Sequence, residues 1–265
     1  MKNVKERYGN VALVTGASSG IGAAFCRKFA SLGLHVVAVA RREERLLALK
    51  KELEELYGVT VTPIALDLAH ESAVQQLSTL VSEQGMQQID ILVNNAGFGV
   101  LGAAESIARE KNVGMVDLNC RAVVDLTAHF LPAMKARRRG AVIIVSSVVG
   151  TIVAPWFATY SATKAFDLYF GEALYGECRG SGVDVLTVLP GLTRTEFQAG
   201  AGLREYHSPY RSPEQVVDTA CAALGRKSIV VDGWLNKLMS HGIRFLPRSV
   251  ALALSRFVMK RELGM

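Results

Sequence analysis

Seven short runs rich in Val, Ile, Leu and Ala recur along this 265-residue chain, separated by longer segments with helical spacing. The runs cover 11–15, 35–40, 61–66, 89–94, 141–146, 184–189 and 228–231. The helical segments cover 20–32, 42–57, 71–84, 112–138, 158–180 and 213–225. Apolar residues are nearly continuous within the runs, which suits strands covered on both faces and hence a parallel sheet. Gly33 stands where a helix stop is expected. Ser212-Pro213-Glu214-Gln215 combines an N-cap, a Pro at the first helical position and a capping-box Gln. The predicted class is α/β: a doubly wound, Rossmann-type, mostly parallel seven-stranded sheet with helices on both faces. Ligands of such sheets bind at the carboxyl ends of the strands, near the switch in strand order.

Half of the residues are hydrophobic, enough for a full core, and no linker or internal repeat divides the chain. A single domain over 1–265 is expected. Cys26, Cys120, Cys178 and Cys221 form no Cys-x-x-Cys pair, and the histidines lack metal-ligand spacing. A reduced, cytoplasmic, metal-free protein is therefore expected. The first ten residues are polar, unlike a signal peptide, and no apolar stretch reaches the roughly 18 residues of a spanning helix. The net charge is +6, and residues 234–265 carry six basic side chains against Glu262 alone. The charge thus belongs to the tail and does not indicate a nucleic-acid partner. Arg137-Arg138-Arg139 reads as a helix C-terminus complementing its dipole.

Thr15-Gly16-Ala17-Ser18-Ser19-Gly20-Ile21-Gly22 lies between the first strand and the first helix. Gly16 permits a tight turn, Gly20 lets the backbone approach a pyrophosphate, and Gly22 permits close helix–strand packing. Free N–H groups and the helix dipole then favour the phosphates. The spacing is Gly-x-x-x-Gly-x-Gly, so the turn alone is a weak signal. The end of the second strand strengthens it. Ala40 takes the position where NAD enzymes commonly carry an acid for the ribose, and Arg41 and Arg42 follow. A guanidinium can grip a 2′-phosphate bidentately, so NADP(H) is the expected cofactor.

Tyr160 and Lys164 are one helical turn apart and share a face. A free tyrosine, with pKa near 10, is a poor acid–base catalyst at neutral pH. A lysine ammonium and an oxidised nicotinamide would favour phenolate and lower that value. Ser147, thirteen residues before Tyr160, can hydrogen-bond a substrate oxygen and stabilise alkoxide charge. Ser146 competes for that role with a less suitable spacing.

These motifs together resemble the short-chain dehydrogenase/reductase family over 11–232, and the tail beyond them is similar to that of the ketosteroid and long-chain 3-ketoacyl reductase members. The resemblance rests on the glycine turn, Asn94-Asn95-Ala96-Gly97, Asp67 with Leu68, and Pro190-Gly191 followed by Thr193 and Thr195. It implies cofactor contacts at Gly16, Ser18, Ser19, Gly20, Ile21, Gly22, Arg41, Arg42, Asp67, Leu68, Asn94, Ala96, Gly97, Pro190, Gly191, Thr193 and Thr195. It also implies that Tyr160 is the acid in reduction and the base in oxidation. Lys164 holds the nicotinamide ribose, and Asn119 positions a water in a proton relay. As a lone residue in a long helix, Asn119 would otherwise read as surface.

The family closes its site with a segment after Pro-Gly, here 193–211, containing Phe197, Leu203, Tyr206, His207 and Tyr210. Phe98, Val149, Trp156 and Phe157 can add walls, which favours an apolar ketone or aldehyde, or the corresponding alcohol. Arg204 and Arg211 could instead meet a phosphate or carboxylate handle, as on a 3-ketoacyl thioester. A cofactor-binding regulator without turnover is the alternative of another class. The tail, 234–265, departs from much of the family. Its Leu238, Phe245, Leu254 and Phe257 lie among basic residues, so it suits an anionic, inner membrane surface or a packed face on this or a partner subunit. Packing is preferred, and a homodimer or homotetramer is expected.

Overall fold

The computed structural model describes residues 4–86, 88–203 and 210–263. Its strands are β1 (Val11–Thr15), β2 (His35–Ala40), β3 (Val61–Ala65), β4 (Ile91–Asn94), β5 (Gly140–Val145), β6 (Val183–Leu189) and β7 (Ile229–Val231). They form one sheet in the order β3-β2-β1-β4-β5-β6-β7, and every pairing is parallel. The seven expected strands are thus present within two residues of the expected ends. Strand order reverses between β1 and β4, whose Val14 and Val93 are paired. The site is expected beyond their carboxyl ends.

Helices follow the strands: α1 (Val4–Tyr8), α2 (Gly20–Ser31), α3 (Glu43–Tyr57), α4 (Ala73–Glu83), α5 (Arg109–Val116), α6 (Ala122–Ala136), α7 (Ala158–Cys178), α8 (Phe197–Ala201), α9 (Pro213–Ala223), α10 (Trp234–Gly242) and α11 (Arg248–Leu263). One face of the sheet is covered by α2, α3 and α9 through Phe25, Phe29, Leu46 and Val216. The other is covered by α4, α6 and α7 through Leu77, Leu126, Met134 and Leu174. This two-sided burial is why the strands carry apolar residues on both faces. The capping box of α9 forms as expected: Gln215 N donates to Ser212 Oγ at 3.3 Å and Ser212 N to Gln215 Oε1 at 3.0 Å.

The helix expected over 112–138 is not continuous. A π-helical turn, Asp117–Arg121, separates α5 from α6. The bulge places an extra residue in one turn and redirects the side chains around it, a distortion frequent at functional sites. Asn119 is consequently 0% exposed, not on the surface.

The tail forms two helices, α10 and α11, joined by a short 3-10 turn. Its contact with the body is a narrow seam. Ser240 and Ser255 are buried, and Met259 packs against the apolar cluster around Tyr160. Trp234, Phe245 and Phe257 remain 72%, 88% and 68% exposed. Among the described residues, no helix is long and apolar enough to cross a membrane.

Candidate active site

The turn after β1 is built by one threonine. Thr15 Oγ1 donates to Val93 O at 3.1 Å and accepts from the backbone N–H of Asn95 and Ala96, each at 2.9 Å. Asn95 Nδ2 donates to Thr15 O at 2.8 Å. These bonds lash the ends of β1 and β4 together at the switch in strand order. Thr15 and Asn95 lie inside the sequence motifs, but their role as a clamp needs the pairing of β1 with β4.

Gly16 has φ +67°, a conformation that disfavours a side chain. A Cβ on Gly22 would stand 2.2 Å from Gly16 O and 2.6 Å from Asn95 Nδ2, so the helix start rests directly on the turn. Gly22→Ala must therefore push the turn and helix apart. A loss of about 1–3 kcal/mol of stability and weaker dinucleotide binding are expected, read by thermal unfolding and NADPH fluorescence. A variant with unchanged melting and binding would refute this role of Gly22.

At the start of α2, Ser19 makes no side-chain cap to its own helix. Its hydroxyl accepts from Arg42 Nη2 at 2.8 Å, while Ser18 Oγ accepts from Arg42 Nε and Nη2 at 3.1 and 3.0 Å. Arg42 Nη1 also pairs with Glu196 at 2.7 Å, and Arg45 pairs with the same carboxylate at 2.5 Å. Hydrogen bonds from these two arginines lower the Glu196 carboxyl to about 2. Arg41 points elsewhere, with its side chain 72% exposed and its guanidinium 3.8 Å from Asp67. Of the two expected arginines, Arg42 thus joins the serines of the turn and Arg41 joins Asp67. Arg45 and Glu196 were not expected; the Glu196 carboxylate occupies both guanidiniums, so an incoming phosphate would have to displace it.

Thr195 approaches the same helix start, its Cγ2 lying 2.9 Å from where a Cβ on Gly20 would be. A cavity of about 360 Å³ opens there, lined in part by Ser19, Gly20, Arg194 and Thr195. Thr193 and Arg211 are clasped together through Arg194 N to Arg211 O at 2.9 Å and Arg211 N to Leu192 O at 3.1 Å. Arg211 is not available for a substrate handle. Its guanidinium makes two 2.9 Å bonds to Asp232, which is 0% exposed. Arg204, Tyr206 and His207 lie outside the described residues.

Two residues expected at the cofactor present their side chains elsewhere. Asn94 is buried and donates to Thr127 Oγ1 of α6 at 3.0 Å, because β-strand alternation turns it to that face. Leu68 belongs to the apolar layer beneath α4 and α6. Only their backbones could meet a ligand.

On α7, Tyr160 and Lys164 are both buried, as is Ser147 after β5. Val149 N donates to Ser147 Oγ at 3.2 Å, and the Ser147 hydroxyl lies 3.4 Å from Pro190 O. Ser146 is excluded from the competing role: it donates to Lys164 O at 2.6 Å and so pins α7 to the sheet. Lys164 Nζ donates to Val145 O at 2.9 Å and Asp167 Oδ2 at 2.8 Å. It lies 3.5 Å from the point a Cβ on Gly97 would occupy. Asn119 Oδ1 accepts from Phe98 N at 3.1 Å, and its Nδ2 donates to Phe98 O at 2.9 Å and Thr163 Oγ1 at 3.0 Å. The π-helical turn therefore ties the loop after β4 to α7.

Of the two groups expected to lower the Tyr160 pKa, Lys164 does pull it down, but burial acts against it. Burial pushes the phenol above its ordinary value, and it outweighs the downward pull of Lys164 and Ser147. The protein's own groups thus favour the protonated phenol. Around it pack Phe157 and Phe197, with ring centroids 4.5 and 5.2 Å from that of Tyr160. Phe98, Val149 and Leu203 join them as expected, together with Met115 and the tail's Met259. Trp156 stands outside this cluster, at φ +60°, with its carbonyl accepting from Gly102 N at 2.7 Å.

The sequence model of the family described as short chain dehydrogenase matches residues 10–205. The chain is a short-chain dehydrogenase. It is 34% identical over 244 residues to a 7β-hydroxysteroid dehydrogenase of Collinsella aerofaciens, spanning 90% of this chain and 92% of that one. It is 31% identical over 252 residues to the human very-long-chain 3-oxoacyl-CoA reductase, spanning 92% and 78%. A solved 7β-hydroxysteroid dehydrogenase superposes with TM-score 0.86 at 31% identity, covering 95% of this short-chain dehydrogenase and 98% of its own chain. A short-chain dehydrogenase from Sphingobium yanoikuyae, solved with NADPH, gives TM-score 0.78 at 30% identity, covering 90% and 97%. This short-chain dehydrogenase is an oxidoreductase of the CH–OH/C=O pair that uses a nicotinamide cofactor.

Proposed function

We propose that this enzyme uses NADP(H) to interconvert a bulky apolar ketone and its secondary alcohol, with Tyr160 as the acid–base group. The observation that carries the reading is the buried Tyr160 phenol, set between Lys164 and Ser147 on one side and an apolar wall on the other. The residues suit the cofactor: a glycine turn with no room for a side chain, a helix start beside it, and Arg42 gripping two serines and an acid. When bound, NADPH supplies the hydride. Ser147 orients the substrate oxygen by hydrogen bonding, Tyr160 donates its proton to that oxygen in reduction, and Lys164 stabilises the phenolate left behind. Asn119 holds the loop carrying Gly97 and Phe98 against α7, and its relay role belongs to the same proposal.

A steroid-like ketone is favoured over an acyl thioester because Arg211, a candidate for a charged handle, is occupied by Asp232. The similarity to the human 3-oxoacyl-CoA reductase keeps a 3-ketoacyl thioester as the second reading. We place the enzyme in the cytoplasm as a homo-oligomer, in which a second copy covers the exposed residues of α10 and α11. NADPH consumption with a 7-ketosteroid, a 3-ketoacyl-CoA and a simple aldehyde tests the substrate reading. Turnover is expected to be highest on the steroid. A preference for the thioester would select the second reading, and NADPH binding without any turnover would favour a cofactor-binding regulator.

A further inference from the structure

One buried charge beside Tyr160 has no part in the mechanism above. Asp167 lies three residues beyond Lys164 on α7 and is 1% exposed. Its Oδ2 accepts from Lys164 Nζ at 2.8 Å, and its Oδ1 has no hydrogen-bond partner among the described residues. Burying a carboxylate is costly, and a well-packed apolar residue would cover the same ground without an unpartnered oxygen. Stability alone therefore does not account for an acid at this place. Its partner, however, is the lysine that faces the catalytic phenol.

We propose that Asp167 is a positioning residue: it anchors the Lys164 ammonium, and its charge sets the pH at which the Tyr160/Lys164 pair releases its first proton. An ammonium has three donors. Asp167 and Val145 O take two of them, which fixes the amine beside Gly97. Burial works against both charges, raising the Asp167 carboxyl against the pull of Lys164; at Lys164 the Asp167 carboxylate and the Tyr160 phenolate outweigh burial, and the amine is held charged beyond its ordinary range. The titratable groups bearing on the pair are few. Besides Asp167 there is Cys120 of the π-helical turn, while β5 and its end offer the Val145 carbonyl and the hydroxyls of Ser146 and Ser147.

The direction of the effect follows from charge counting. With Asp167 ionised, loss of one proton takes the three-residue cluster from neutral to negative. Without that carboxylate, the same loss takes it from positive to neutral, which is easier whether tyrosine or lysine gives up the proton. At an effective dielectric near 20, a unit charge at roughly 6 Å moves such a step by about one to two pH units. Asp167 thus keeps the pair protonated at neutral pH, which suits reduction and moves alcohol oxidation to higher pH.

This inference rests on the proposed role of Tyr160. It is tested by the pH profile of kcat/KM for NADP+-dependent oxidation of a 7β-hydroxysteroid and, as a second probe, a 3-hydroxyacyl-CoA. A reading without substrate is the tyrosinate absorbance of each protein minus that of its Tyr160→Phe counterpart. Asp167→Asn is expected to move the acidic limb, and the onset of tyrosinate, about one to two pH units lower. Asp167→Ser, the second neutral variant, should move them the same way. Asp167→Glu, which keeps the charge, should restore the wild-type position. A neutral variant that binds NADPH normally yet leaves both readings in place overturns the proposal, as does a Glu variant that shifts as far as Asn. If Tyr160→Phe retains activity, the failure lies instead with the reading on which this inference rests.

Discussion

Replacement of Tyr160 by Phe is expected to leave NADPH binding largely intact and to reduce turnover by about 10²–10⁴-fold. The hydroxyl is the only part of the side chain removed. The ring remains to fill the space between Phe157 and Phe197, whose centroids lie 4.5 and 5.2 Å away, so the apolar wall survives. What disappears, on the proposed mechanism, is the proton that neutralises the substrate oxygen as it becomes an alkoxide. Because burial holds the phenol above its ordinary pKa, wild-type reduction should persist through neutral pH and fall only in alkaline solution. Oxidation needs the phenolate and should rise over the same interval. NADPH fluorescence titration, paired with turnover on the best ketone, separates binding from chemistry. Activity within a few-fold of wild type in the Phe variant would remove Tyr160 from the mechanism.

The second large effect is expected at the other end of the cofactor. Arg42→Ala should weaken NADPH binding by about 10–100-fold while leaving NADH binding nearly unchanged, since a charge-assisted hydrogen-bonded contact contributes roughly 1.5–3 kcal/mol. Arg42 is held by the two serine hydroxyls of the turn and by the Glu196 carboxylate, so a 2′-phosphate that displaces Glu196 meets an already oriented guanidinium. Arg41 is more exposed and is paired loosely with Asp67, so Arg41→Ala should cost less than Arg42→Ala. Equal losses for NADPH and NADH in the Arg42 variant would point to damage of the turn. Unchanged selectivity in both variants would remove the arginines from cofactor choice.

Much of this site was legible in the sequence because its signals are local. A Gly-rich turn, a strand end followed by two arginines, and Tyr and Lys one helical turn apart each occupy a few consecutive residues. Their meaning comes from φ/ψ limits and the helix period. Asn119 was legible only through the family resemblance, since the helical pattern around it continues smoothly from α5 to α6. The π-helical turn that buries it is visible only once the loop after β4 and Thr163 of α7 supply its hydrogen bonds. The reading of Arg211 as a substrate contact lacked its partner. Asp232 follows directly after β7, twenty-one residues further on, and nothing in the local pattern announces their bidentate pairing.

The seven parallel strands, the glycine turn and the spacing of Tyr160 and Lys164 could all be read from the sequence. These depend on residue periodicity and backbone sterics, which act over a few neighbours. Only the tertiary structure decided which arginine joins the serines, that Ser146 is spent on holding α7, and that Met259 of the tail reaches the wall beside Tyr160. It also brought Thr15 to the end of β4 and left Asp167 with one oxygen unpartnered next to Lys164. A polar side chain takes whichever partner the packing of distant segments brings within about 3 Å, and the buried environment then sets its charge.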